Sequence, residues 1–200
     1  MALAPRSFAL MAIGALALTA TAVAGTRARR SGDAVVRTAR ATSPPAPRPA
    51  PDWDNTSWLN TTAPIRRTDL AGRVVLLNFW VFTCVNCTRS LPSLVRFDSL
   101  YRDRGLTIVG IHTPEFPPYA GEHDRGNLAR ALARYGIRYA NAQDNDRATW
   151  RRYGIRFWPS FVLLDKQGRI RYEGAGEIHI GDHWDRTWQT RIEALLAESP

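Results

Sequence analysis

Two hundred residues with 44% apolar composition are enough for one domain with a real hydrophobic core plus appendages. The net charge of +9 is uneven: residues 26–51 hold six Arg and one Asp, whereas residues 52–200 hold twenty cations against seventeen acids, which argues against nucleic acid as a partner of the folded part. Two cysteines, Cys84 and Cys87, exclude a disulfide framework; with no second C-x-x-C there is no structural zinc site, and Thr88 after Cys87 excludes covalent c-type haem attachment.

Residues 1–25 carry Arg6, an apolar stretch from Phe8 to Leu18 and small residues ending in Ala22-Val23-Ala24. That is the grammar of a signal peptide, and the uncharged run to Gly25 also suits an uncleaved membrane anchor. Arg27, Arg29 and Arg30 follow directly and oppose export, but export remains the favoured reading. Residues 26–52, rich in Arg, Ala and Pro, are expected to form a disordered tether, too polar and proline-rich to pack. From Trp53 to Thr62 apolar and β-branched residues return as a short strand or hairpin, and Asp69 to Gly72 marks a turn.

Val74 to Val81 is an apolar run with the length and make-up of a strand covered on both faces. Cys84 and Cys87 follow where a helix would start. Residues i and i+3 on a helix have Cα atoms roughly 5 Å apart, inside the window a disulfide needs. The unpaired N–H groups and macrodipole of the helix start favour a thiolate, so Cys84 is expected to attack and Cys87 to resolve. Leu91, Leu94, Val95, Leu100 and Tyr101 continue an apolar helical face to a stop near Gly105, with a kink expected at Pro92.

Leu106 to Ile111 is the next buried strand, ending in the loop His112-Thr-Pro-Glu-Phe116. Leu128, Leu132 and Tyr135 mark an amphipathic helix stopped by Gly136. Tyr139 to Ala142 is a short strand and Ala148 to Tyr153 a short helix. Phe161–Leu164 and Ile170–Tyr172 form a hairpin turning at Gln167-Gly168. Trp184, Trp188, Ile192 and Leu195 line a closing helix capped by Asp182. His179 and His183 flank Gly181 and Asp182, so they belong to a loop and cap rather than a metal pair.

This order, β-α-β-α then β-β-α, with C-x-x-C at the first strand-to-helix junction and a proline before the hairpin, resembles the thioredoxin fold over residues 53–200: α/β, a central mixed sheet flanked by helices, with an N-terminal strand or hairpin extension. Asn78 to Cys87, His112 to Phe116, Asp144-Asn-Asp146 with Trp150, and Trp158-Pro159 together resemble the exported TlpA-like and DipZ-like redoxins. The resemblance implies an extracytoplasmic thiol:disulfide oxidoreductase needing no cofactor beyond its Cys84–Cys87 disulfide. It implies protein disulfides as substrates and, for a reductase, a membrane electron-transfer partner. It also implies a cis Trp158-Pro159 peptide beside the cysteines.

Asn78 stands where cytoplasmic thioredoxins carry a buried acid, and Ser90 where cytochrome c maturation reductases often have Glu. Glu115 is the candidate substitute proton acceptor. Trp80, and Trp158 with Pro159, are candidates for active-site support, Trp80 being expected to pack partly buried against the motif. His112 is expected to be a hydrogen-bonded strand-end residue. Alternatives on the same fold are a copper-handling module using Cys84, Cys87 and His112, or a thiol peroxidase.

Overall fold

A computed structural model describes residues 46–199; the leader expected at residues 1–25, and the tether as far as residue 45, lie outside the described residues. Its strands are β1 (Arg48–Pro49), β2 (Trp58–Leu59), β3 (Val74–Trp80), β4 (Leu106–His112), β5 (Asn141–Gln143), β6 (Ser160–Leu164) and β7 (Arg169–Ala175). Helices α1 (Val85–Tyr101), α2 (Arg125–Arg134), α3 (Ala148–Arg152) and α4 (His183–Ala197) cover the sheet. The strand order is β1-β7-β6-β3-β4-β5-β2, a mixed sheet of the thioredoxin type.

β3 lies at its centre because every one of its residues is apolar or neutral and can be taken out of water. It pairs in parallel with β4, from Val74 opposite Leu106 to Trp80 opposite His112, and antiparallel with β6. Pleating divides its side chains between two cores. Val74, Leu76 and Trp80 join α1, α2 and α4 through Leu91, Leu94, Phe97, Leu128, Leu132, Trp188 and Ile192. Val75, Leu77 and Phe79 join Trp150 and Tyr153 on or beside α3 and the N-terminal arm through Trp53 and Trp58. Each fully buried aliphatic or Phe side chain contributes roughly 1.5–3 kcal/mol relative to exposure.

The stops follow local chemistry. Gly105 adopts φ 107° at the end of the short 3₁₀ turn after α1, a conformation that suits glycine. Asp182 caps α4 by accepting from the Asp185 N–H, as expected from sequence. Helix α1 continues through Pro92 to Tyr101.

Some boundaries differ from expectation. The last part of the proline-rich segment is structured: Arg48 and Pro49 pair with Ile170 and Arg169 of β7, and Ala50 is buried. The free edge of β7 provides the partner, and a proline is tolerated on an outermost strand because only one side needs its hydrogen bonds. The stretch Trp53 to Thr62 contains one short strand, paired with β5 rather than with itself. Strand β7 runs on to Ala175 because its ladder with β6 continues to Ser160.

Candidate active site

The site forms where β3 ends. Val81 is buried, and the chain turns through Phe82 and Thr83 with the Cys84 N–H donating to the Val81 carbonyl at 3.3 Å. Cys84 is the N-cap of α1: its Sγ accepts from the Cys87 N–H at 3.2 Å. Cys84 and Cys87 are bridged as a disulfide with Cα atoms 5.2 Å apart, the separation that one helical turn dictates. Cys84 is half-buried while Cys87 is only 1% exposed, so a second molecule can reach the first sulfur and not the other. A 17-residue helix points its positive end at Cys84, the placement that lowers a thiol's pKa.

The Trp158–Pro159 peptide is cis. Ser160 pairs with Phe79, so Pro159 enters at the same end of the sheet as the disulfide. Pro159 is buried. Trp158 stacks on Trp150 with centroids 4.1 Å apart and donates from Nε1 to the Thr113 carbonyl at 3.0 Å. The Arg147 guanidinium sits 5.3 Å from the Trp158 ring centroid, and it also donates to the carbonyls of Pro114 and Glu115. Sequence reasoning missed Arg147; its φ of 57° belongs to a turn that no motif advertised.

Trp80 is packed more deeply than its partly buried expectation: its exposure is 0%, and its Nε1 donates to Asn141 Oδ1 at 2.9 Å. At that depth it cannot touch a partner. Gly110 makes that bond possible, because a Cβ there would come 1.9 Å from Asn141 Oδ1. His112 also departs from expectation. It is wholly buried, stacked with Phe82 and edge-on to Trp80, and among the described residues neither ring nitrogen has a hydrogen-bond partner. Burial pulls its pKa down to about 3. The Asn78 amide is likewise buried without a partner, beside a Tyr139 hydroxyl whose pKa burial pushes up. Ser90 holds the approach to α4 by accepting from the Ile178 N–H.

Glu115 is exposed, and its contacts are made by its main chain. The buried acid of this loop is Glu122, which accepts from the Thr83 hydroxyl and from the N–H groups of Glu115 and Phe116 at 2.6 and 2.8 Å. Nothing in the sequence singles it out except its place just before the Asp124 cap of α2. Among the described residues no group of three His, Cys, Asp or Glu side chains is arranged to hold a metal ion.

The Redoxin family model matches residues 46–184. Protein DipZ of Mycobacterium bovis is 41% identical over 153 residues, which are 75% of this chain and 21% of DipZ; the chain thus spans about a fifth of that relative. Thiol-disulfide oxidoreductase YkuV of Bacillus subtilis is 26% identical over 72% of this chain and 90% of its own length. Among solved structures, a putative thiol:disulfide interchange protein DsbE from Chlorobium tepidum matches with a TM-score of 0.66 at 23% identity, covering 78% of this chain and 100% of that one.

Proposed function

Because the chain belongs to the Redoxin family, we propose that Cys84 and Cys87 carry out its chemistry, exchanging electrons with protein disulfides outside the cytoplasm. The protein is a thiol–disulfide oxidoreductase of thioredoxin fold. The observation that carries the assignment of roles is the unequal pair, a half-buried Cys84 at the N-cap of α1 bridged to a buried Cys87 one turn inside.

In the reducing direction the Cys84 thiolate attacks one sulfur of a substrate disulfide. The substrate S–S bond breaks, a mixed disulfide forms, and the first substrate thiolate leaves and takes a proton from water. Cys87 then gives up its proton and attacks Cys84 Sγ. The second substrate thiolate departs, and the Cys84–Cys87 bond re-forms with two electrons passed on. Held at 5.2 Å between Cα atoms, the pair is already oriented for that second attack, so resolution is intramolecular and fast relative to escape of the mixed disulfide.

Extracytoplasmic placement rests on the leader grammar of residues 1–25 and on the likeness to exported redoxins. In that setting no soluble dithiol pool regenerates the enzyme, so a membrane electron-transfer protein is the partner for a reductase. Trp158 and the half-buried Phe82 pack, like Cys84, against the core that holds Cys87, and together with Pro159 they would receive the substrate chain. The near balance of charge over residues 52–200 fits a protein partner rather than nucleic acid.

The test is exchange with a protein disulfide. Cys84→Ser is expected to abolish turnover, and Cys87→Ser to accumulate a mixed disulfide through Cys84, visible as a covalent adduct lost on adding dithiothreitol. Full activity in Cys84→Ser would refute the assignment. Titration against glutathione then gives the reduction potential and the favoured direction.

A further inference from the structure

Glu122 is a fully buried carboxylate set between the two loops that border the disulfide. Its Oε1 takes the hydroxyl of Thr83, the residue immediately before Cys84. Its Oε2 takes the N–H groups of Glu115 and Phe116. The same loop is gripped from its other side: Arg147 holds the carbonyls of Pro114 and Glu115, and the Trp158 indole holds the Thr113 carbonyl. A continuous polar arc therefore runs from the neighbour of Cys84 to the neighbour of Pro159, with Glu122 as its acidic member. Among the described residues no salt bridge is made to that carboxylate. Its compensation comes from hydroxyl and amide dipoles alone.

Resting on the oxidoreductase reading, we infer that Glu122 is a positioning residue that sets the reducing poise of the Cys84–Cys87 pair. Through Thr83 it fixes the turn that presents Cys84, and its charge offsets part of the stabilisation that the start of α1 gives the Cys84 thiolate. When two glutathione thiols reduce the pair, the Cys84–Cys87 bond breaks and glutathione disulfide forms. Of the two protons glutathione releases, Cys87 takes one, and the other is divided between Cys84 and solvent. A negative charge near Cys84 disfavours the thiolate share of the reduced form. Less stabilisation of the reduced form makes a dithiol a stronger reductant.

Two variants give opposite signs. Glu122→Gln keeps the shape, lets an amide oxygen accept from the loop N–H groups and removes the charge. Its exchange constant with glutathione is expected to move about fivefold toward the dithiol, the effect of one screened charge. Thr83→Val removes the hydroxyl and leaves the carboxylate less compensated, so its constant is expected to move in the other direction, toward the disulfide. Thr83 is exposed, so this variant decides the matter even where Glu122→Gln fails to fold. Wild-type exchange with variant constants unmoved, or both moved in one direction, overturns the inference while leaving the oxidoreductase reading intact. Absence of glutathione exchange by the wild type sinks that reading, and the inference with it.

Discussion

Asp144 and His112 are joined by a backbone hydrogen bond of 2.8 Å and both are completely buried, yet they occupy opposite kinds of surroundings. The Asp144 carboxylate gathers the N–H groups of Thr149 and Trp150 at 2.9 Å each and the Thr113 hydroxyl at 3.2 Å, with the Asn55 amide at 3.4 Å. Three segments of chain are thereby tied to one side chain. The His112 ring has no polar partner among the described residues and serves as an aromatic plate between Phe82 and Trp80. A satisfied buried group organises what surrounds it, whereas an unsatisfied one is a standing cost that must be carried by packing.

Removing the organised group should have the largest effect. Asp144→Ala strands two buried N–H groups and a hydroxyl, and is expected to cost about 3 kcal/mol or more, read as a lower urea midpoint with an unchanged slope. An effect below about 1 kcal/mol would erase the contrast. The second test is acid. His112 titrates at about 3 in the fold and near 6.5 once unfolded, so the unfolded chain binds the proton first. Its contribution to stability is complete above about pH 6.5 and is lost as the pH falls toward 3. Between pH 6 and pH 4.5 it amounts to about 2 kcal/mol, and His112→Phe should remove that part of the acid limb.

Trp158→Phe is expected to lose about 1 kcal/mol with the indole bond to Thr113, and to slow disulfide exchange several-fold by loosening the loop beside Pro159. This sharpens the comparison, because Thr113 also donates to Asp144: the well-satisfied region reaches Trp158 through the same residue that accepts its indole N–H. The smallest effect belongs to His112→Phe at pH 7.5, where removing two unsatisfied nitrogens offsets the added ring volume and the net change stays within about 1 kcal/mol.

Much of this was legible beforehand, for identifiable reasons. β3 and β4 announced themselves as apolar runs, α4 by its Asp182 cap, and the disulfide by the spacing of one helical turn. The depth of Trp80 was not legible, because a strand buried on both faces has no alternation from which to read its inner and outer sides. His112 misled since strand ends usually meet solvent; here the chain folds Phe82 over the ring. Glu122 became important only when loop closure brought residues 83 and 115 together, a long-range event with no local period. Arg48 and Pro49 read as tether because proline-rich sequence carries no sign that a distant edge awaits it.

That small edge strand has a consequence for how copies of the molecule meet. An uncovered β7 would offer a row of backbone donors and acceptors on which another chain could pair and propagate. Among the described residues the sheet instead ends at both sides in strands only two residues long, Arg48–Pro49 and Trp58–Leu59. Proline contributes no N–H to the first border, and Asn60, at φ 57°, turns the chain out of line after the second. If the proposed exchange of disulfides with other polypeptides holds, such borders spare the molecule a second, unregulated way of adhering to them.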